Sequence, residues 1–290
     1  MAQANRKALA LAAQTEPELV LVLGAGGARG LSHIVVLEAL DELGLKPAII
    51  AGSSIGAIIG AAFAAGLPGA ALREHVLTTF SDRPRVIRRL LDARVGKLTD
   101  LFRGLGNPVL IDGERLLDLF WPEAVPDRFE QLAIPFVACA ADYHLQTEVL
   151  IDKGALTPAV AASLAIPGLV RPVLLDGRVL VDGGAIDPLP YRRLLAPGRI
   201  VVAIDTSAPT TMSELRIPEP LEAMVGVSQL LSRSIVQRMI ESSPPDILIR
   251  TGVEGIGGLD FLKAKAILEA AEPIKDEVKR RLEAALAKAG

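Results

Sequence analysis

A glycine-flanked serine, Ser54, constrains this sequence more than any other feature. It lies in the pattern Gly52-Ser53-Ser54-Ile55-Gly56, which reads G-x-S-x-G. The residues before it, Pro47–Ala51, are typical of a short buried strand, and those after it, Ala57–Ala65, are typical of a buried helix. A serine at such a strand–turn–helix junction is lifted out of the sheet edge, where only small neighbours fit. The same position suits a helix N-cap, so the pattern alone leaves a purely structural role open.

A second strand–turn–helix unit comes earlier, in the order Leu19–Leu23, Gly24–Gly30 and Leu31–Leu43. One crossover helix between two parallel strands would bring both loops to the same end of the sheet. The amides of the glycine loop could hold a dinucleotide pyrophosphate or an oxyanion. A dinucleotide site requires an acidic residue at the end of the second strand, where this chain has Ser54. The sequence therefore favours an oxyanion hole.

The composition favours helices packed on a parallel sheet. The chain has 290 residues, half of them hydrophobic and only 3% aromatic, so its apolar mass comes from Ala, Leu, Val and Ile. We predict an α/β fold with a central, mostly parallel sheet flanked by helices. Further strands are predicted at Ile134–Ala141, Thr147–Ile151, Ile200–Ile204 and Asp246–Arg250, a hairpin at Val173–Val181 around Asp176-Gly177, and helices at Ala161–Pro167, Leu221–Ile240 and Asp260–Ala289 with a kink at Pro273.

Charge and cysteine content exclude several classes. The net charge of -3 gives no case for nucleic-acid binding, and a single cysteine, Cys139, excludes an internal disulfide. We find no cluster with metal-ligand spacing, so no metal and no cofactor is predicted. No uninterrupted apolar run reaches membrane-spanning length, and the short run after Arg6 and Lys7 is a poor signal peptide. A cytoplasmic location is expected, with peripheral contact at a membrane following only from the substrate class.

The base that would activate Ser54 is found by elimination. The chain has three histidines, His33, His75 and His144, and each fits a structural or surface role. None follows a candidate acid late in the chain, so the α/β-hydrolase order of serine, acid and histidine is impossible. Asp182 ends a predicted strand and precedes Gly183-Gly184, which makes it the best-placed carboxylate, although an aspartate there also suits a turn.

The region Leu67–Phe120 is locally basic in a slightly acidic chain. It is predicted to be mostly helical, with breaks near Pro84, Gly96, Gly104 and Gly113. Two interpretations stay open: a solvated helix face, or a basic amphipathic lid over the site that meets anionic lipid. The basic residues are Arg83, Arg85, Arg88, Arg89, Arg94, Lys97 and Arg103, interleaved with Val86, Ile87, Leu90, Leu91 and Val95.

Three ordered motifs, Gly26–Gly30 with His33, then Gly52–Gly56, then Asp182–Gly184, together resemble the patatin-like phospholipase family. The similarity is strongest to its small bacterial members and to the neuropathy target esterase catalytic domain, and it runs from about Leu19 to Arg250. It implies a patatin-like three-layer architecture and a Ser–Asp dyad. The implied roles are Ser54 as nucleophile, Asp182 as base, an oxyanion hole from Gly26, Gly27 and Ala28 with Arg29 fixing the loop, and supporting glycines at Gly30, Gly52, Gly56, Gly183 and Gly184. One departure is Ala25, where the family often has glycine.

The resemblance also implies the domain layout and the activity. We expect a lead-in over residues 1–17, a catalytic domain over 18–252 and a C-terminal helix over 253–290. The expected function is a serine acyl hydrolase of the phospholipase A or lysophospholipase type, acting through an acyl-enzyme on a lipid or ester substrate. A carboxylesterase or neutral-lipid esterase is the alternative. From other classes, a non-catalytic regulatory protein and a nucleotide-binding protein also stay open.

Overall fold

The computed structural model describes residues 17–95, 110–208 and 217–289. Most of the predicted lead-in, and the stretch of the basic region that holds Gly96, Lys97, Arg103 and Gly104, lie outside these ranges. In chain order the strands are β1 (Glu18–Leu23), β2 (Ile49–Ser53), β3 (Arg94–Val95), β4 (Leu110–Ile111), β5 (Phe136–Asp142), β6 (Thr147–Ile151), β7 (Val173–Leu175), β8 (Arg178–Asp182), β9 (Arg199–Asp205) and β10 (Ile247–Arg250). The helices are α1 (His33–Glu42), α2 (Ile55–Ala64), α3 (Gly69–Ser81), α4 (Arg83–Asp92), α5 (Gly113–Phe120), α6 (Leu156–Ser163), α7 (Pro220–Ser242), α8 (Ala264–Ala271) and α9 (Ile274–Ala289).

The central sheet has the strand order β10-β9-β1-β2-β5-β8-β7, with β6 also paired to β5. The strands from β10 to β5 in this order run parallel to their neighbours, and β6, β8 and β7 are antiparallel additions. The prediction of a mostly parallel sheet is confirmed. Because β1 and β2 pair in parallel, the glycine loop and the Ser54 turn leave the same end of the sheet, also as predicted.

Alternating side chains of β1 divide the core into two layers. Leu21 and Leu23 belong to the larger cluster, which α1, α2, α8 and α9 cover. Val20 and Val22 belong to a second cluster on the opposite face, which Val236 of α7 helps to close. The period of two along a strand thus accounts for helices on both faces of the sheet. The architecture is a three-layer α/β fold, in agreement with the prediction.

The register of β5 brings two strand ends together. Residues 138–142 of β5 pair with β6 along one edge. Two strands therefore share the opposite edge of β5. The pairing with β2 ends where Ser53 lies opposite Cys139, and the pairing with β8 begins where Asp182 lies opposite Ala140. Since β2 is parallel to β5 and β8 is antiparallel, the carboxyl ends of β2 and β8 meet head to head. This junction joins two parts of the chain that are 128 residues apart.

Several element boundaries differ from the sequence prediction. The helix predicted at Ala161–Pro167 corresponds to α6, which begins at Leu156 and ends at Ser163. It ends before Pro167, because a residue that precedes proline is disfavoured in the helical region. The C-terminal segment forms α8 and α9, which are separate helices on either side of Pro273, rather than one kinked helix. The hairpin at Asp176-Gly177 is confirmed, and both turn residues have positive φ (50° and 74°).

Candidate active site

Ser54 lies in a strained turn between β2 and α2. Its φ and ψ are 55° and -122°, a conformation that a residue with a side chain rarely adopts. The turn is tight enough that a Cβ on Gly52 would overlap the carbonyl of Gly56, and a Cβ on Gly56 would overlap the carbonyl of Leu23. Glycine is thus required at both flanking positions by close backbone approach, as the motif predicts. Backbone strain of this kind is typical of functional sites.

The Ser54 hydroxyl donates a hydrogen bond to Oδ2 of Asp182 at 2.7 Å. Both side chains are nearly enclosed, with exposed fractions of 6% and 7%. The other carboxylate oxygen of Asp182 accepts the backbone N–H of Gly184 at 2.6 Å, which fixes the orientation of the carboxylate. Burial raises the pKa of Asp182 to about 6, while the hydrogen bonds from Ser54 and Gly184 act in the opposite direction. The two residues that the sequence pairs are therefore in direct contact.

A third side chain at this junction, Ser163, was missed by the sequence analysis. Its hydroxyl accepts the backbone N–H of Ser54 at 3.0 Å and donates to the carbonyl of Cys139 at 2.6 Å. Ser163 is fully buried at the end of α6, and Cys139 is buried in β5. The hydroxyl therefore ties the Ser54 turn to the neighbouring strand. The available signal was a lone serine inside an apolar helical stretch.

The glycine loop lies beside Ser54. Gly26 and Gly27 line a small polar cavity of about 40 Å³ together with Ser54 and Asp182. Among the described residues, no group accepts a hydrogen bond from the amides of Gly26 or Gly27. The Ala28 amide, which the sequence also predicts as an oxyanion donor, donates instead to the Gly258 carbonyl at 2.8 Å. In this conformation two of the three predicted donors are available.

Arg29 is among the residues that line the polar cavity, and hydrogen bonds to other parts of the chain hold its guanidinium. Its side chain is 2% exposed, and it donates to the Ile256 carbonyl at 3.2 Å and to Oε1 of Gln229 at 2.9 Å. Burial lowers the pKa of Arg29, and the charge of Asp205 partly offsets that effect. The contacts join the loop to α7 and to the segment after β10. The loop-fixing role that the resemblance implies for Arg29 stays a prediction.

The buried His33 also supports the glycine loop. Its Nε2–H donates to the Gly24 carbonyl at 2.8 Å, and burial lowers the pKa of the ring to about 4. His33 is therefore neutral at pH 7 and is committed to the backbone. No histidine is among the described residues that line either cavity next to Ser54. The structure thus places Asp182, and no imidazole, against the serine hydroxyl.

An apolar cavity of about 260 Å³ adjoins Ser54 and shares Gly27, Ser54, Ile166 and Gly258 with the polar cavity. Its walls come from α2, α3, α4 and α5, from β4, from the segment that follows α6, and from the turn before α8. Besides Gly27, Ser54 and Gly258, every residue lining it is apolar, which fits a hydrocarbon chain. The apolar residues are Ile55, Ile58, Phe80, Val86, Ile87, Leu90, Ile111, Leu116, Leu119, Leu164, Ile166, Leu169, Val170, Leu259, Phe261 and Leu262.

The site combines a hydroxyl, a buried carboxylate, an apolar cavity and two backbone amides that have no partner among the described residues. These are the parts that acyl transfer requires. Within the described ranges, no group of three or more His, Cys, Asp or Glu side chains could hold a metal ion. In the same part of the chain, no helix is both long enough and apolar enough to cross a bilayer.

Comparisons with known proteins identify relatives of this chain. An uncharacterized NTE family protein of Mycobacterium tuberculosis is 39% identical over 183 residues, which cover 63% of this chain and 47% of that protein. Patatin-like phospholipase domain-containing protein 7 of Rattus norvegicus is 32% identical over 193 residues (66% of this chain, 14% of that protein). Lysophospholipase NTE1 of Kluyveromyces lactis is 26% identical over 275 residues (86% and 18%). The chain thus matches less than half the length of these relatives.

Among solved structures, VipD from Legionella pneumophila superimposes with a TM-score of 0.46 and 14% identity, over 91% of this chain and 68% of that one. A family model described as patatin-like phospholipase matches residues 21–195, more than half of the chain and a span that contains Ser54, Asp182 and the whole glycine loop. The chain belongs to the patatin-like phospholipase family.

Proposed function

We propose that this chain is a serine acyl hydrolase that cleaves fatty acyl esters through Ser54 and Asp182. The observation that carries the proposal is the 2.7 Å hydrogen bond from the Ser54 hydroxyl to Asp182 at the floor of an apolar cavity. Membership of the patatin-like phospholipase family and the similarity to lysophospholipase NTE1 support the same reaction class. The substrate class that fits is a phospholipid or lysophospholipid.

In the first half of the reaction, Ser54 Oγ attacks the ester carbonyl carbon while its proton passes to Asp182. The amides of Gly26 and Gly27 hold the negative oxygen, where each such donor is worth a large factor in rate. When the intermediate collapses, the ester C–O bond breaks and the alcohol leaves with the proton from Asp182. The products of this half are the free alcohol and an acyl-Ser54 ester.

In the second half, water attacks the acyl-Ser54 carbonyl and gives its proton to Asp182. Collapse then releases the fatty acid and returns the proton to Ser54. A carboxylate is a weak base, so the reaction depends on a dry site and on the raised pKa of Asp182, which brings the carboxylate closer to the working pH. The apolar cavity would hold the acyl chain and exclude bulk water during both halves.

The test is hydrolysis by the purified chain of p-nitrophenyl butyrate and of a lysophosphatidylcholine, compared with Ser54→Ala. The matched control is Ser53→Ala, which removes a neighbouring hydroxyl that is equally buried but has no hydrogen-bond partner. We expect Ser54→Ala to lose roughly 10³-fold or more in turnover and Ser53→Ala to stay within about tenfold of wild type. Retention of activity by Ser54→Ala would reject the proposal. Hydrolysis of the short ester without the lysolipid would favour the esterase alternative.

A further inference from the structure

A group of exposed apolar side chains lies on the elements that line the apolar cavity and the groove beside it. We call it the apolar rim. Its members come from α4, from α7 and from the turn before α8, and each is between 39% and 65% exposed. Exposed apolar groups that cluster in this way mark interaction surfaces, because isolated proteins normally scatter them. The apolar rim consists of Ile87, Leu91, Met224, Val227, Leu230, Leu231, Leu259 and Leu262.

The apolar rim is continuous with the apolar cavity that reaches Ser54. Leu259 lines that cavity and also lines the adjacent groove, whose wall includes Val227 and Leu230 of α7. Near the start of α7, Met224 contacts Gly168, in the segment that supplies another wall of the cavity. An acyl chain that entered the cavity would therefore pass between α4 and α7 across this surface.

The α4 helix adds positive charge beside the apolar rim. Arg83, Arg85 and Arg88 are exposed, and none of them forms an ion pair with a described carboxylate. Ile87 and Leu91 are spaced four residues apart, so they share one face of α4 with Arg83. A helix with arginines beside exposed apolar side chains is suited to an anionic lipid interface. This combination favours the lipid interpretation of the basic region over a merely solvated helix face.

The inner face of α7 contacts both loops of the site. Gln229 accepts a hydrogen bond from Arg29, which anchors the glycine loop. The Ser232 hydroxyl donates to the carbonyl of Gly184, directly after Asp182. The helix whose outer face forms part of the apolar rim therefore supports the catalytic loops from its inner face.

We propose that the apolar rim and the α4 arginines form a docking surface for a bilayer with anionic headgroups. This inference rests on the proposed function, because an ester substrate held in a bilayer has to reach Ser54 from such a surface. The alternative occupant is a second copy of the chain. A two-fold contact through the same patch would bring both copies of the basic α4 into one interface, which opposes self-association.

The test uses Ser54→Ala as the background, so that vesicle binding is measured without hydrolysis. Vesicles of phosphatidylcholine mixed with phosphatidylglycerol are sedimented, and the bound protein is compared with vesicles of phosphatidylcholine alone. Two variants alter the surface: Val227→Ser with Leu230→Ser, and Arg83→Gln with Arg85→Gln and Arg88→Gln. We expect each set to weaken binding to the anionic vesicles by about 10- to 100-fold, and added salt to weaken the parent protein.

Matched controls carry the same kinds of change elsewhere. Leu145→Ser with Leu174→Ser removes two exposed leucines, and Lys265→Gln with Arg280→Gln and Lys288→Gln removes three positive charges from α8 and α9. Both control sets should bind as the parent does. Equal binding by the rim variants and the controls would overturn the proposal. The proposal would also be overturned, in favour of self-association, if the parent protein had the mass of a dimer and the changes at Val227 and Leu230 made it a monomer.

Activity on a soluble ester separates this inference from the proposed function. With Ser54 restored, every variant should hydrolyse p-nitrophenyl butyrate within about twofold of wild type, while the rim variants lose activity on vesicles. If the wild type hydrolyses neither the soluble ester nor the lysophosphatidylcholine, the proposed function fails although vesicle binding still stands. If hydrolysis is normal and binding does not depend on the rim, the docking surface alone fails.

Discussion

The floor of the site, where Ser54 and Asp182 lie, and the apolar rim differ in the burial of their side chains. At the floor, Ser54, Asp182 and Ser163 are buried and every one of them makes short hydrogen bonds. At the rim, Val227 and Leu230 are more than half exposed. Burying a carboxylate costs stability, and exposing leucine and valine forgoes a hydrophobic gain.

Both regions depart from the pattern of a stable core. On the proposed function, burial at the floor would activate the Ser54 hydroxyl, and exposure at the rim would provide a surface for an apolar partner. Changes at the floor should therefore alter turnover on any ester, together with stability. Changes at the rim should alter only the use of lipid that is held in a surface.

Replacing Asp182 by Asn should have opposite effects on turnover and on stability. Loss of the base should lower turnover of p-nitrophenyl butyrate by about 10²- to 10⁴-fold. Burial raises the pKa of Asp182 from its ordinary value of 3.8 to about 6, so the native state holds the proton more tightly than the unfolded chain does. Above pH 6 the ionised carboxylate therefore destabilises the fold. The variant should be more stable at pH 8, by on the order of 1–3 kcal/mol.

Urea unfolding at two pH values checks the stability half of this prediction. At pH 4, where Asp182 is largely protonated in the native state, the gain from Asp182→Asn should largely vanish. It should grow as the pH rises from the ordinary pKa of 3.8 towards about 6, and it should be nearly complete above that value. Val227→Ser should show no such pH dependence. A variant that is less stable than wild type at pH 8 would mean that the ionised carboxylate stabilises this junction.

The pH dependence of the wild-type reaction should follow the protonation of Asp182. Only the ionised carboxylate can accept the serine proton, so kcat/KM on a soluble ester should fall as the pH drops through about 6 and should level off above it. The rim variants should have the same midpoint, because their side chains do not contact the carboxylate. A profile that stayed flat between about pH 5 and 8 would show that another group controls the reaction.

Replacing Ser163 by Ala should have smaller effects, which reduce both stability and turnover. The change leaves the buried N–H of Ser54 and the buried carbonyl of Cys139 without their partner, so the free energy of unfolding should fall by about 1–3 kcal/mol. A looser turn should also reduce kcat by roughly tenfold with KM little changed. Denaturant unfolding and steady-state kinetics measure the two effects.

The matched control for Ser163→Ala is Ser81→Ala. Ser81 is exposed at the end of α3, and its hydroxyl donates only to the Thr78 carbonyl one turn earlier. Its replacement should change stability by no more than about 0.5 kcal/mol and should leave kcat unchanged. If Ser163→Ala behaved like this control, the bridge between the turn and β5 would have no energetic role.

Much of the floor of the site can be predicted from the sequence, because short local patterns describe its turns. The Ser54 turn requires glycine at two fixed positions, and the glycine loop and the Asp182 turn have equally local signatures. The parallel pairing of β1 and β2 follows from a single crossover helix. These patterns predict which loops share one end of the sheet, and they predict the pairing of Ser54 with Asp182.

The remaining features depend on contacts between distant parts of the chain, which leave no local pattern. Ser163 is 109 residues from Ser54, and Gln229 is 200 residues from Arg29. The occupation of the Ala28 amide by Gly258 likewise follows from how the segment after β10 folds back. The apolar rim combines side chains of α4 and α7. The spacing of apolar residues along the sequence could not show that these side chains remain exposed.

The most direct test of the central claim is covalent labelling of the purified chain with a fluorophosphonate, followed by mass spectrometry of the peptides. An activated serine displaces fluoride and keeps the phosphonyl group. We predict one adduct, on Ser54, in the wild type and in Ser53→Ala, much slower labelling in Asp182→Asn, and none in Ser54→Ala. Labelling of Ser54→Ala at the wild-type rate, or an adduct on a different serine, would contradict the assignment of Ser54 as the nucleophile.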